Sequence, residues 1–423
     1  MLNFIKNSPK TADKESGVLY MTRKHILCFT AALFITTGLF ATTSFSGYAG
    51  GKLNYSANPE AEEYDPDLKL QAFFAGQFNF SQNLWSHMEF SIDTGDLLGE
   101  SLFHETDSKF QIDEISLITR MNLSTCSNYI SAFMGTYEPI GSDVFLQRYF
   151  NIKPIDSKLT ESYLGLAGSI LYPHFGIGIS DVLKLYTAPF ALGGYVYVNH
   201  EDKDYYVLNT DLRTATVMNY FTCDFAFGLG IPLANKYRGE DVIIAVEKLY
   251  WHAGTTILLG NNYTNSLFVQ AGIYNASFTK QKDNSVVAPE DIYLLIEPRL
   301  LFKNNHLNLS IYSLPPDTVK KLLLLEDTLG INLNFYSEAS LNGSNTLTYG
   351  SHLNFSVIDK NFMDLKDFSN ISENGYNLNL TPYITSSFLS GELHLQATFR
   401  LMEFVRGKGE RAVSVDLGYR TKF

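Results

Sequence analysis

Residues able to do covalent chemistry are few in this 423-residue chain, and they are poorly spaced for it. No Gly-x-Ser-x-Gly, His-Glu-x-x-His or Gly-Lys-Ser/Thr run occurs, so an activated serine, a metal-held water and a phosphate cradle all lack their usual frame. The nearest histidine–serine arrangements are His87-Met88-Glu89-Phe90-Ser91 and His352-Leu353-Asn354-Phe355-Ser356, and neither completes a catalytic set. Acidic residues are too common to single out a pair. Of the three cysteines, Cys126 and Cys223 sit near turn-like stretches at 122–128 and 219–224. No histidine or second cysteine stands at ligand spacing from either, which argues against a metal site. Pairing of the two is open, since sequence does not say whether their Cα atoms come within disulfide reach. The expectation is no catalytic residue, no cofactor and no metal.

What the polar side chains do instead is alternate. Leu68, Leu70, Ala72, Phe74, Gly76, Phe78 and Phe80 take the even positions of one stretch, with Lys69, Gln71, Gln77 and Asn79 among the odd ones. Asn332 and Asn334 alternate with Ile331, Leu333 and Phe335. His352 and Asn354 alternate with Leu353, Phe355 and Val357; Asn377 and Asn379 with Tyr376, Leu378 and Leu380. His394, Gln396 and Arg400 face away from Leu393, Leu395 and Phe399, and Asp416 and Arg420 from Val415, Leu417 and Tyr419. Period two means strands with one apolar and one wet face. Several runs exceed ten residues. At about 3.3 Å per residue and a tilt near 40°, that length crosses a hydrocarbon layer of roughly 25 Å. Neutral amides and hydroxyls with scattered charges of both signs suit a hydrated interior.

The chain's end is the sharpest signal. Val413, Val415, Leu417, Tyr419 and Phe423 alternate with Ser414, Asp416, Gly418, Arg420 and Lys422, and the strand stops on an aromatic residue. This resembles the terminal strand of bacterial outer-membrane β-barrels, whose assembly machinery reads a closing aromatic preceded by alternating apolar positions. The resemblance implies Leu417, Tyr419 and Phe423 as an assembly signal, with barrel-assembly machinery and outer-membrane lipid as partners. Near the start, Met21-Thr22-Arg23-Lys24-His25 precedes an apolar run over 26–40 and then small residues to Ala49, the layout of a secretory signal peptide. The predicted order is therefore a start-site overrun at 1–20, a signal peptide at 21–49 cleaved after Ala49, a periplasmic leader at 50–67 and the barrel at 68–423.

The predicted fold is all-β, a transmembrane antiparallel barrel of about 16 strands within a range of 14 to 18. Between 110 and 121 the apolar phase flips at Glu114-Ile115, which predicts a β-bulge. Prolines 315 and 316 ahead of a leucine-rich stretch predict a short helical insertion near 315–327, resting on a rim. One feature disagrees with a simple barrel: the connection at 81–83 is short and the next, at 95–108, is long, the reverse of the usual order unless a strand precedes residue 68. Formal net charge is −12, and nucleic acid is excluded as a partner because phosphate binding needs a basic surface. The aromatic content of 14% fits girdles at two membrane interfaces.

These readings imply a porin-like channel for passive diffusion of small hydrophilic solutes. Two alternatives stand beside it. One is a barrel that acts as an adhesin through loops at 95–108, 200–204, 280–290 and 359–375. The other is an outer-membrane enzyme on lipid or peptide, although the short His…Ser-Asn motif of outer-membrane phospholipases and deacylases is not reproduced.

Overall fold

The computed structural model describes residues 44–423 apart from 58–63, 99–108, 161–170, 172–173, 203–204, 234–235, 238–239, 242–248, 279–286, 289–290, 341–344 and 359–374. Nine strands come first: β1 (Ser44–Ala57), β2 (Pro66–Ser81), β3 (Leu84–Asp93), β4 (Lys109–Asn122), β5 (Cys126–Thr136), β6 (Phe175–Leu185), β7 (Phe190–Asp202), β8 (Tyr205–Met218) and β9 (Phe221–Leu233). A two-stranded ribbon, β10 (Lys236–Tyr237) with β11 (Glu240–Asp241), stands apart from the main sheet. Nine more follow: β12 (Tyr250–Leu259), β13 (Ser266–Ser277), β14 (Ile292–Phe302), β15 (Asn305–Ser313), β16 (Leu329–Ser340), β17 (Thr346–Val357), β18 (Tyr376–Phe388), β19 (Gly391–Arg400) and β20 (Val413–Lys422).

Each of the 18 main strands pairs antiparallel with its neighbours in sequence, β9 continues to β12, and β20 returns to β1 with Tyr48 opposite Lys422 and Tyr55 opposite Val415. The result is a closed antiparallel barrel. Closure leaves no unpaired edge, which a sheet surrounded by hydrocarbon requires.

The wall is inside-out relative to a protein with an oily core. On β16, Ile331, Leu333 and Phe335 are 46, 37 and 51% exposed on the outside, while Asn332 and Asn334 are 1% exposed within. Leu212 at 62% beside buried Asp211 and Arg213 repeats the pattern on β8. So large an apolar exterior marks a surface meant for a non-aqueous neighbour. Among the described residues no helix is long and apolar enough to cross a membrane.

Strand β1 corrects the expected boundaries. Residues 50–57, assigned to a leader, are the second half of the strand that closes the barrel, so the barrel begins by residue 44 rather than 68. The expected cleavage after Ala49 falls inside this strand; 1–43 lie outside the described residues. The strand escaped the alternation test because its outward positions 47, 49 and 51 are Gly, Ala and Gly. These small residues make room for rings from neighbouring strands. Phe423 lies over Gly47 and Phe45 over Gly76, and the Phe45, Phe74 and Phe423 rings stack together on the outer face. Counting β1 brings the barrel to 18 strands, the top of the expected range, and resolves the loop disagreement. Tight turns at 82–83, 219–220, 303–304 and 389–390 share one end, and the strand ends joined by the long connections after Asp93, Thr136, Ser313 and Val357 share the other.

The predicted bulge is present. Pairing steps from Glu89–Glu114 to Phe90–Ile112, leaving Asp113 as the extra residue of β4. The predicted helical insertion is a single turn, Pro316–Val319, and it folds inward rather than resting on a rim. Leu314, Val319, Leu322, Leu324 and Leu325 are buried in one cluster with wall residues Tyr293, Leu295 and Tyr312. Four leucines in a row have too much apolar surface to lie in water at a rim. Cys126 and Cys223 are both free.

Candidate functional site: the barrel interior

An 18-strand barrel with strands about 4.8 Å apart and tilted near 40° has a backbone diameter of roughly 36 Å. Wall side chains alone cannot fill it. The chain fills part of it with the connection between β5 and β6. After Tyr137 this segment turns inward through Glu138 at φ 44° and Gly141 at φ 91°, then forms helix α1 (Val144–Phe150) with Phe145, Leu146 and Tyr149 buried. Helix α1 ends at Asn151, whose left-handed backbone (φ 52°) stops the turn. Asp143 binds both ends of the excursion: its carboxylate accepts from Gln147 Nε2 at 2.5 Å and from the Ile155 backbone N–H at 2.8 Å.

Contacts with the wall show that the segment crosses the lumen. On one side Arg213 of β8 donates to the Glu138 carbonyl at 2.6 Å and to the Ser142 carbonyl at 3.4 Å, holds Asp224 through two bonds of 2.9 and 2.5 Å, and lies 4.4 Å over the Phe145 ring. Glu138 meets Arg148 Nη1 at 2.9 Å and accepts from Tyr195 at 2.6 Å, while Arg148 Nη2 reaches Glu114 of β4 at 3.2 Å. On the far side Arg299 of β14 donates to the Ile155 and Asp156 carbonyls at 2.9 and 3.1 Å, and Ser157 donates to Glu297 at 2.5 Å. Lys158 sits 3.8 Å above Tyr336 and 5.5 Å above Tyr383. Asn262, in the turn between β12 and β13, donates to the Pro154 carbonyl at 2.8 Å, so the segment reaches the tight-turn end. Burial and the neighbouring Asp143 push the Asp156 carboxyl well above the usual carboxylate range. Burial also pushes the Tyr149 hydroxyl up, so it stays neutral.

A second polar cluster locks the wall behind this segment. Asp211 lies between His174 Nε2 at 2.7 Å and His252 Nε2 at 3.0 Å and accepts from Tyr197 at 3.0 Å, all of them buried. The 314–328 connection adds its own ties: Asp327 accepts from Ser356 and from Asn377 at 3.0 Å, and Glu326 from Asn379 at 3.0 Å and Arg400 at 2.5 Å.

The interior-facing residues fall into two groups. Asn332, Asn334, His352, Asn354, Asn377 and Asn379 all point inward, as their phase requires. They pack against the inserted segments or each other: Asn332 meets His352 at 3.2 Å, and Tyr312 donates to Asn354 at 3.0 Å. His352-Leu353-Asn354-Phe355-Ser356 is thus a structural run. The other group belongs to β19, β20 and β1–β3, where no inserted segment among the described residues covers the wall completely. The Arg420 and Glu392 side chains, 3.4 Å apart, are 39 and 50% exposed, and His87 and Glu89 are 19 and 18% exposed. Lys69 pairs with Asp67 at 2.5 Å, Gln77 donates to Asn79 at 2.7 Å, and His394 meets Gln396 at 3.1 Å. Asp416 is buried between Asn54 and Gln396 at 2.7 and 3.0 Å, and Gln71 on β2 is buried as well. Arg400 bridges to the Glu326 insertion. At the tight-turn end this sector opens into a cavity of about 410 Å³ lined by Ser44, Gln77, Asn79, Ser81, Gln82 and Trp85.

Alternation missed the inserted segment. Its signal was apolar residues at 144, 145, 146, 149 and 150 after Asp143, a helical spacing between two strands. Leu417 and Tyr419 lie on the outward phase of β20, and Phe423 is part of the aromatic stack over β1.

No family model and no curated protein matches this chain. Among solved structures, variants of Rhodopseudomonas blastica porin align over 90% of this chain and 100% of theirs, two of them at 10% identity with TM-scores of 0.44 and 0.43. At that level the likeness carries no argument about function, and the closed barrel stands on its own strand pairing.

Proposed function

We propose that this chain is a channel of the bacterial outer membrane, exported through its N-terminal segment, for passive diffusion of small hydrophilic solutes. The observation that carries the reading is the inside-out wall combined with a polar sector that the inserted segments leave part-exposed. Solutes pass along β19, β20 and β1–β3, past Tyr48, His87, Glu89, Glu392, His394 and Arg420. The 137–160 segment acts as the filler that narrows the route. No covalent step is part of this reading.

The test is single-channel recording from the refolded, full-length barrel in planar bilayers, beside a variant in which 144–157 is replaced by a short Gly-Ser linker. The expected result is stepwise ohmic conductance in the parent and a several-fold larger step in the variant. Silence from both proteins, with circular dichroism showing intact strands, overturns the channel reading.

A further inference from the structure

The β3–β4 bulge gathers a set of donors, two of them beside the proposed solute route, that passive diffusion does not require. His87 and Glu89 lie two apart on β3 and so share the inward face. Glu114 is directly opposite Glu89 in register. Because pairing skips Asp113, that residue and Glu114 both turn inward, which two consecutive residues of a regular strand cannot do. One donor atom each from His87, Glu89 and Glu114 lies within 4.8 Å of the other two. An ion with bonds of about 2.1 Å holds neighbouring ligand atoms roughly 3 to 3.4 Å apart, so rotamer changes of an ångström or so bring these three together.

Two further observations point to a cation. Asp113 is 8% exposed; Gln111 satisfies its Oδ1 at 2.7 Å and the Ser91 hydroxyl also faces the carboxylate, while its Oδ2 is buried without a well-aligned hydrogen bond, within electrostatic range of Glu89. And three carboxylates, those of Glu89, Asp113 and Glu114, stand at the bulge, while the one guanidinium described against them, Arg148, reaches only Glu114 at 3.2 Å, with Ser116 donating to the same carboxylate oxygen at 2.6 Å.

We propose that His87, Glu89 and Glu114, with Asp113 supporting, form a binding site for a divalent transition-metal ion inside the barrel. One imidazole with carboxylates suits a hard or borderline first-row ion such as Mn²⁺ or Zn²⁺ rather than a thiophilic one. The part-exposed His87 and Glu89 face the open sector and give the ion an entry route. Glu114 is also a tether for α1 through Arg148, so the ion competes with that contact and couples the site to the inserted segment.

The experiment is titration of the refolded full-length barrel with Mn²⁺ followed by electron paramagnetic resonance, and with Zn²⁺ by calorimetry. It needs no conductance, so its failure and the failure of the channel reading are separable. One saturable site per chain is expected, weakened at least tenfold by His87→Ala and by the isosteric Glu89→Gln, each checked for folding by circular dichroism. Absence of saturable binding, or two folded variants that bind like the parent, overturns the proposal. If His87→Ala does not fold, Glu89→Gln and Asp113→Asn decide it.

Discussion

Replacing Arg213 by Met tests whether the inserted segment is held from the wall by charge. Arg213 is fully buried and makes four bonds, two to Asp224 and two to the Glu138 and Ser142 carbonyls. Met keeps much of the packing over Phe145 but supplies no donor. Asp224, 2% exposed, is then a buried charge without its partner. Breaking such a pair from one side costs about 3–5 kcal/mol. Every 1.4 kcal/mol is about tenfold in population, so the undocked segment should gain roughly two to three and a half powers of ten. Arg213→Met/Asp224→Leu removes the stranded charge as well and should recover most of the loss, since an apolar replacement of a whole buried pair is often neutral. The assay is protease cleavage within 137–160 in folded barrels, backed by current noise in bilayers. Equal protection of parent and single variant, or no recovery in the double variant, would refute the argument that this pair anchors the segment.

Two further outcomes follow from the same interior. A methyl group at Gly228 would run into the Asp211 carboxylate and the His252 ring, so Gly228→Ala should cost about 1–3 kcal/mol and lower the thermal transition followed by circular dichroism. Gly194→Ala, with nothing near its added carbon, is the control and should melt like the parent. The raised Asp156 carboxyl gives docking a pH dependence. The docked segment holds a proton that the released segment, with an ordinary carboxyl near pKa 3.9, gives up. Docking is therefore fully favoured below about pH 3.9 and weakens as pH rises through the higher docked value. Asp156→Asn should flatten this dependence; wild-type protease protection that increases with pH would contradict it.

Which residues face inward was legible in the chain, because facing depends only on period two and is written locally along each strand. Lys69, Gln77, Asn332, His352, His394 and Arg420 all turn in for that reason, and the flip at Glu114 marked the bulge by the same rule. What an inward residue meets was not legible. His352 is sealed beneath packed neighbours while Arg420 stays in an open sector, although both stand at wet positions of alternating strands. That difference comes from contacts across the lumen, such as Gln270 with the Gly141 carbonyl, 129 residues apart, and Arg299 with the Ile155 carbonyl, 144 apart. Closure by β1 is non-local in the same way, since its small residues acquire an apolar surface only when Phe423 and Phe74 from other strands lie beside them. Alternation set the two faces of the wall; tertiary packing decided how much of the interior is left for water.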